Sequence, residues 1–210
     1  MRSKAGTICM VLGAALVLTA LSLFLLNQRE DKQAGASVEK ILPQVIDRIE
    51  APITDEAEDI PTYPDPYDPA MTEVEIDGYA YVGYLSIPSL ELELPVMSEW
   101  DYARLKLSPC RYAGSSKTGN LVICAHNYTQ HFGPVRSLVP GDLVYFTDMD
   151  GVIWKYQVAA VDILKPTEVE TMTAGDYDLT LFTCTYGGQS RVAVRCECID
   201  NGNLILKLEE

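Results

Sequence analysis

Leu179-Thr180-Leu181-Phe182-Thr183-Cys184-Thr185-Tyr186-Gly187-Gly188-Gln189-Ser190-Arg191 is a β-strand, a turn and the start of a second strand. Its apolar residues end in a cysteine, Gly187-Gly188 is a turn signal, and Arg191 opens the next alternating run. A turn of this kind brings Arg191 back beside the end of the first strand, near Cys184. There a guanidinium can lower a thiol pKa, bind a carbonyl or hold developing negative charge.

The same texture extends through most of the second half of the chain. Ala80 to Ile87, Leu90 to Val96, Leu121 to Ala125, Leu143 to Thr147, Ile153 to Leu164, Leu179 to Thr183 and Arg191 to Ile199 all have strand character. Pro140-Gly141-Asp142 and Asp150-Gly151 mark turns, and Asn201-Gly202 predicts a last hairpin into Leu204 to Leu208. Ser98-Glu99-Trp100-Asp101 has the form of a capping box and predicts a short helix to about Leu107. About 130 residues holding some eight short strands and few helices predict a mainly all-β domain, a closed or nearly closed barrel over residues 78–210.

A second stretch, Gly119-Asn120-Leu121-Val122-Ile123-Cys124-Ala125-His126-Asn127, again ends an apolar strand in a reactive side chain. Imidazole transfers protons near neutral pH, and a Cys/His pair carries acyl transfer through a thioester. Taken singly, each residue has a plain alternative. A strand cysteine is often inert core filling, a strand-end histidine a surface group, an arginine part of a surface ion pair. Thiol, imidazole and guanidinium on matching strand ends point together to one groove.

Residues 1–77 read differently. Gly6 to Leu26 holds no charged residue over 21 positions, enough helix to cross roughly 30 Å of hydrocarbon. Arg2 and Lys4 precede it, which predicts residues 1–5 in the cytoplasm and the rest outside. The apolar run continues to Leu26 with no small-x-small site close behind, which favours an uncleaved anchor over a leader peptide. Residues 27–77 hold 14 acidic and 4 basic residues and form an acidic, Pro-rich stalk, with a short helix expected at 38–50 that Pro43 would kink or split. As a flexible chain the stalk would reach roughly 40 Å. The net charge of −14 argues against nucleic-acid binding. With only two histidines and no C-x-x-C, neither a metal site nor a cofactor is expected. Of six cysteines five are external, so at least one thiol stays unpaired; Cys196 and Cys198 share a strand face and cannot easily bond each other.

Thr180-Leu181-Phe182-Thr183-Cys184 resembles the T-L-x-T-C signature of the sortase family. Gly119 to His126 resembles that family's G-N-x-V-I-x-x-H strand, Gly141-Asp142-Leu143-Val144-Tyr145-Phe146 its G-D-x-V-x-F strand, and Gly83-Tyr84-Leu85-Ser86-Ile87-Pro88 its opening strand. Arg191-Val192-Ala193-Val194-Arg195 is similar to the strand that carries the family's arginine. The resemblance implies a sortase-type eight-stranded β-barrel behind a membrane anchor, and a cysteine transpeptidase. It implies as substrates surface proteins or pilins bearing an LPxTG-like C-terminal sorting signal, and as acceptor an amine of the cell wall or a pilin. Cys184 would attack the scissile carbonyl, His126 would act as acid and base, and Arg191 would hold the peptide or the oxyanion. The Thr183 hydroxyl and the Thr185 backbone N–H are further candidates for substrate and oxyanion contacts.

The pattern is not uniform with the family. Arg195 shares a strand face with Arg191 and competes for its role. The loop from Thr185 to Ser190 is short, as is that from Lys165 to Asp178, and no second apolar span follows Ile199. Asp65-Pro66-Tyr67 resembles a lid tripeptide in a linker rich in both Asp and Pro. A surface cysteine peptidase using water, a non-catalytic peptide-binding barrel and a thiol-disulfide protein are the competing readings.

Overall fold

The computed structural model describes residues 4–51, 70–174 and 176–204. Nine strands follow a long helix, α1 (Lys4–Glu50): β1 (Val74–Ile76), β2 (Tyr79–Ile87), β3 (Leu92–Met97), β4 (Cys110–Ala113), β5 (Leu121–Cys124), β6 (Leu143–Asp148), β7 (Val152–Leu164), β8 (Leu179–Cys184) and β9 (Arg191–Leu204). A short helix, α2 (Val169–Thr173), precedes β8. Strand order is β1-β2-β3-β4-β5-β8-β9-β7-β6, and β6 pairs back onto β2. That last pairing closes an eight-stranded barrel, with β1 as an extra short strand on the first half of β2. The β3–β4 and β5–β8 pairings are parallel and the others antiparallel.

Strand alternation sorts the side chains onto two faces. Leu121 and Ile123 of β5, Leu179 and Leu181 of β8 and Val194 and Cys196 of β9 point into the barrel and are fully buried. Their neighbours Val122 and Cys124, Thr180, Phe182 and Cys184, and Arg191 and Arg195 therefore lie on the outer face. A second apolar cluster covers part of that face, built from Ile41 and Val45 of α1 with Tyr81, Met97, Leu105, Cys110 and Cys124. Cys196 and Cys198 pack against one cluster from one strand face, and all six cysteines are free thiols.

The stalk expectation is corrected over residues 27–50, which continue α1 without interruption. Ala34, Val38, Ile41 and Val45 are buried at three- and four-residue spacing, so the barrel supplies the surface this stripe needs. Pro43 sits inside the helix without ending it. It is exposed, so water can bond the carbonyl that its missing N–H leaves free. The barrel also begins earlier than residue 78. Asp77 and Gly78, both at positive φ, form a two-residue turn joining β1 to β2. The tripeptide 65–67 lies outside the described residues.

Two local expectations also fail. Asp101, not Ser98, is the cap: its carboxylate accepts the N–H groups of Ala103 and Arg104, and only one 3-10 turn, Arg104–Lys106, follows. Asn201-Gly202 makes no hairpin. Both lie inside β9, where Ile153 and Trp154 pair with Asn203 and Asn201, leaving Gly202 as a bulge residue. Residues 205–208 lie outside the described residues.

His131 is buried, and neither ring nitrogen has a partner among the described residues. Burial first, then the neighbouring His126, pushes its pKa down to about 4, while Asp31 opposes. The unfolded chain binds this proton near pH 6.5 and the folded chain does not, so stability should fall as pH drops from about 6.5 to about 4. The full loss is about 3 kcal/mol. Urea midpoints measured across that range for the wild type and His131→Leu should diverge towards low pH, with the variant losing less.

Candidate active site

Cys184 ends β8 directly opposite Arg191, the first residue of β9. The turn between them is held from within. The Thr185 N–H donates to the Ser190 carbonyl (2.9 Å), the Ser190 N–H to the Thr185 hydroxyl (3.1 Å) and the Gly188 N–H to the Thr185 carbonyl (2.8 Å). Gly187 and Gly188 both have positive φ, which lets six residues reverse the chain. This strand-turn-strand geometry fixes the Cys184–Arg191 juxtaposition read from the sequence.

His126 arrives from β5, which runs parallel to β8 with Cys124 beside Phe182. The two strand ends are tied by the Ala125 N–H, which donates to the Phe182 carbonyl (3.2 Å), and by the Thr183 hydroxyl, which donates to the Ala125 carbonyl (2.8 Å). Thr183 is buried, and its hydroxyl links the residue before Cys184 to the residue before His126. The Thr185 N–H would first have to leave Ser190 to serve an oxyanion.

His126, Cys184 and Arg191 line one groove of about 230 Å³ on the outer face of the barrel. Trp100, Tyr102, Tyr112, Phe182, Val169 and Met172 give it apolar walls. A smaller hollow of about 50 Å³ adjoins the other side of Cys184, beside Asn127, Arg136 and Tyr186. Cys184 is half-buried and open to both. By contrast Cys110, Cys124 and Cys196 are buried. Desolvation pushes the thiols of Cys110 and Cys196 up to about 12, and that of Cys124 higher still. Such thiols stay protonated and inert.

Arg191 donates from Nη1 to the carbonyls of Gly188 and Ser190 (both 3.1 Å). Those are its hydrogen bonds among the described residues, so Nε and Nη2 remain for a ligand. Arg195 lies elsewhere. Only 3 % exposed, it sits beneath α2, donating to Asp162, the Thr180 hydroxyl and the carbonyls of Thr171 and Met172. Register explains the difference: Arg195 pairs with Thr180 deep in β8, while Arg191 pairs with Cys184 at its end.

Sequence reading missed the surroundings of His126. The Tyr128 ring stacks on the imidazole (4.7 Å between centroids), and its hydroxyl donates to Glu30 of α1 (3.1 Å). Lys106 pairs with the same carboxylate. Burial holds the His126 pKa below its ordinary value, with Lys106 acting in the same direction and Glu30 against it. An aromatic two residues beyond the histidine is a weak signal, and nothing local marks Glu30 as its partner 98 residues away.

A model of the sortase domain matches residues 85–199. The chain is 28% identical over 127 residues to sortase A of Listeria monocytogenes serovar 1/2a, covering 55% of this chain and 57% of that one. It is 30% identical over 126 residues to sortase A of Bacillus anthracis, covering 55% and 59%. The chain thus spans less than two thirds of the length of the curated relatives it matches. Among solved structures it is similar to sortase A from Corynebacterium diphtheriae, with a TM-score of 0.53, 25% identity, and coverage of 58% of this chain and 62% of that one. With its barrel, its strand-end motifs and the family model extending over more than half its length, the chain belongs to the sortase family.

Proposed function

We propose that this chain is a membrane-anchored cysteine transpeptidase with Cys184 as nucleophile, His126 as acid and base, and Arg191 as the substrate-positioning cation. The shared groove carries the reading: three groups from separate strand ends, the chemistry of acyl transfer, line one surface that can hold a peptide. In the reaction His126 takes the Cys184 thiol proton, and the sulfur adds to the scissile carbonyl. The carbon–nitrogen bond breaks as His126 passes that proton to the leaving amine, which leaves a thioester on Cys184. An incoming amine then attacks the thioester, His126 takes its proton and passes it to the sulfur as the carbon–sulfur bond breaks, and the thiol is restored. Nε and Nη2 of Arg191 bind a substrate carbonyl or the oxyanion. The substrate is an LPxTG-like sorting signal, and the acceptor a cell-wall or pilin amine. Residues 6–26 span the membrane, 1–5 stay in the cytoplasm, and the barrel works outside.

Incubating the full chain with sorting peptides, with and without added amines, tests this. A peptide–amine conjugate is expected; cleavage that ignores the amine would make the chain a peptidase. His126→Ala should lower acyl transfer roughly 10²–10⁴-fold. Its thermal midpoint should stay within a few degrees of wild type, because the ring is only half-buried. Release of a fluorescent amine and a melting curve measure the two effects.

A further inference from the structure

The path of α1 over the barrel decides which end of the domain lies next to the apolar segment. Near its first barrel contacts, Glu30 accepts from Lys106 and Tyr128, Asp31 accepts from the Gln130 N–H, and Gly35 abuts Gln130. Farther along, Lys40 pairs with Asp77, and the Ile49 side chain lies beside Gly151. From Glu30 to Ile49 a helix advances about 29 Å. The barrel end with His126 and the groove is therefore the one nearest the apolar run. Leu26 and Glu30 are one helical turn apart, about 6 Å, in an unbroken helix.

On this same end the segment before Lys106 forms a groove wall and exposes two aromatic side chains, Trp100 at 39% and Tyr102 at 77%. They are held in place: Trp100 packs on Tyr112 and edge-on to Tyr102, and Asp101 caps the turn behind them. The nearby charges are paired, Arg104 with Glu99 and Asp101, Lys106 with Glu30. Trp and Tyr with an apolar body and a polar tip favour the headgroup layer of a bilayer.

We infer that Trp100 and Tyr102 seat in the interfacial layer of the bilayer, so that the groove opens at the lipid surface. The partner is phospholipid itself, at the level where headgroups meet acyl chains. The inference rests on reading residues 6–26 as a membrane span. Substrate then reaches Cys184 along the membrane plane, and a soluble peptide must find a groove already bordered by lipid.

The test uses the full chain in phosphatidylcholine–phosphatidylglycerol nanodiscs containing lipids brominated near the glycerol end of the acyl chain. The chain has two tryptophans. Trp154 lies at the far barrel end, bonded to Asp148, and serves as an internal reference. Bromolipid should quench the fluorescence of wild type and Trp154→Phe, and leave Trp100→Phe nearly unquenched. Inserting about 20 Gly/Ser residues after Gln28, a flexible tether, should cut the quenching several-fold. Equal quenching in Trp100→Phe and wild type, none in either, or full quenching after the insertion would overturn the seating while leaving the anchor intact. Failure of the chain to enter discs would overturn the anchor and the seating together.

Discussion

Cys184→Ala should leave no measurable acyl transfer, a loss of the order of 10⁶ where a covalent nucleophile is removed. The fold should survive, because Cys184 is half-buried at a strand end and the turn beyond it is held by Thr185 and Ser190. Brief treatment with a thiol-selective alkylating reagent should place the first external adduct on Cys184. Cys110, Cys124 and Cys196 are buried and held protonated, so they should react far more slowly. Intact-mass measurement on wild type and Cys184→Ala reads this out. Residual thioester formation in the variant would remove Cys184 from its assigned role.

The second large effect separates the two arginines. Arg191→Lys should lower kcat/KM by about 100-fold or more, since one ammonium cannot reproduce a planar fork of donors at a charge-bearing site. Its melting temperature should hardly move, because the bonds it loses within the protein are two contacts to the surface turn. Arg195→Lys should behave in the opposite sense. A fixed guanidinium there satisfies the Thr171 and Met172 carbonyls and the Thr180 hydroxyl, all around a side chain 3 % exposed. Losing two or three such bonds costs about 3 kcal/mol, roughly 10 °C for a domain of this size. Asp162 adds little, being itself well exposed. Paired melting curves and peptide kinetics decide the matter. An inactive Arg195→Lys of normal stability beside an active Arg191→Lys would exchange the two roles.

Period-two apolar runs closed by Gly-Gly or Asp-Gly made most of the barrel legible, because alternation and turn chemistry are local properties. Strand β4 was not, since Cys110 to Ala113 is short and is set by its pairing with β5. Strand β1 was within reach: Val74-Glu75-Ile76 before Asp77-Gly78 is a hairpin signal hidden in an acidic, proline-containing stretch. In the groove, the residues at strand ends could be read from their spacing. The aromatic wall and the Glu30–Tyr128 contact could not, because tertiary packing brings them there. Pro43 misled for a related reason: an apolar stripe with a surface to bury against outweighs one missing hydrogen bond.

The barrel closes through strands far apart in the chain: β2 joins β6 across some sixty positions, and β5 joins β8 across a similar gap. High contact order of this kind slows folding to milliseconds or longer, because the entropy of closing long loops is spent before the pairing returns any stability. Until β8 docks, one edge of β5 has no neighbour, and His126 lies apart from the β8–β9 hairpin that carries Cys184 and Arg191 together. On the proposed roles, a nascent molecule stays inert until β5 and β8 pair, because that pairing brings the imidazole to the thiol and the guanidinium.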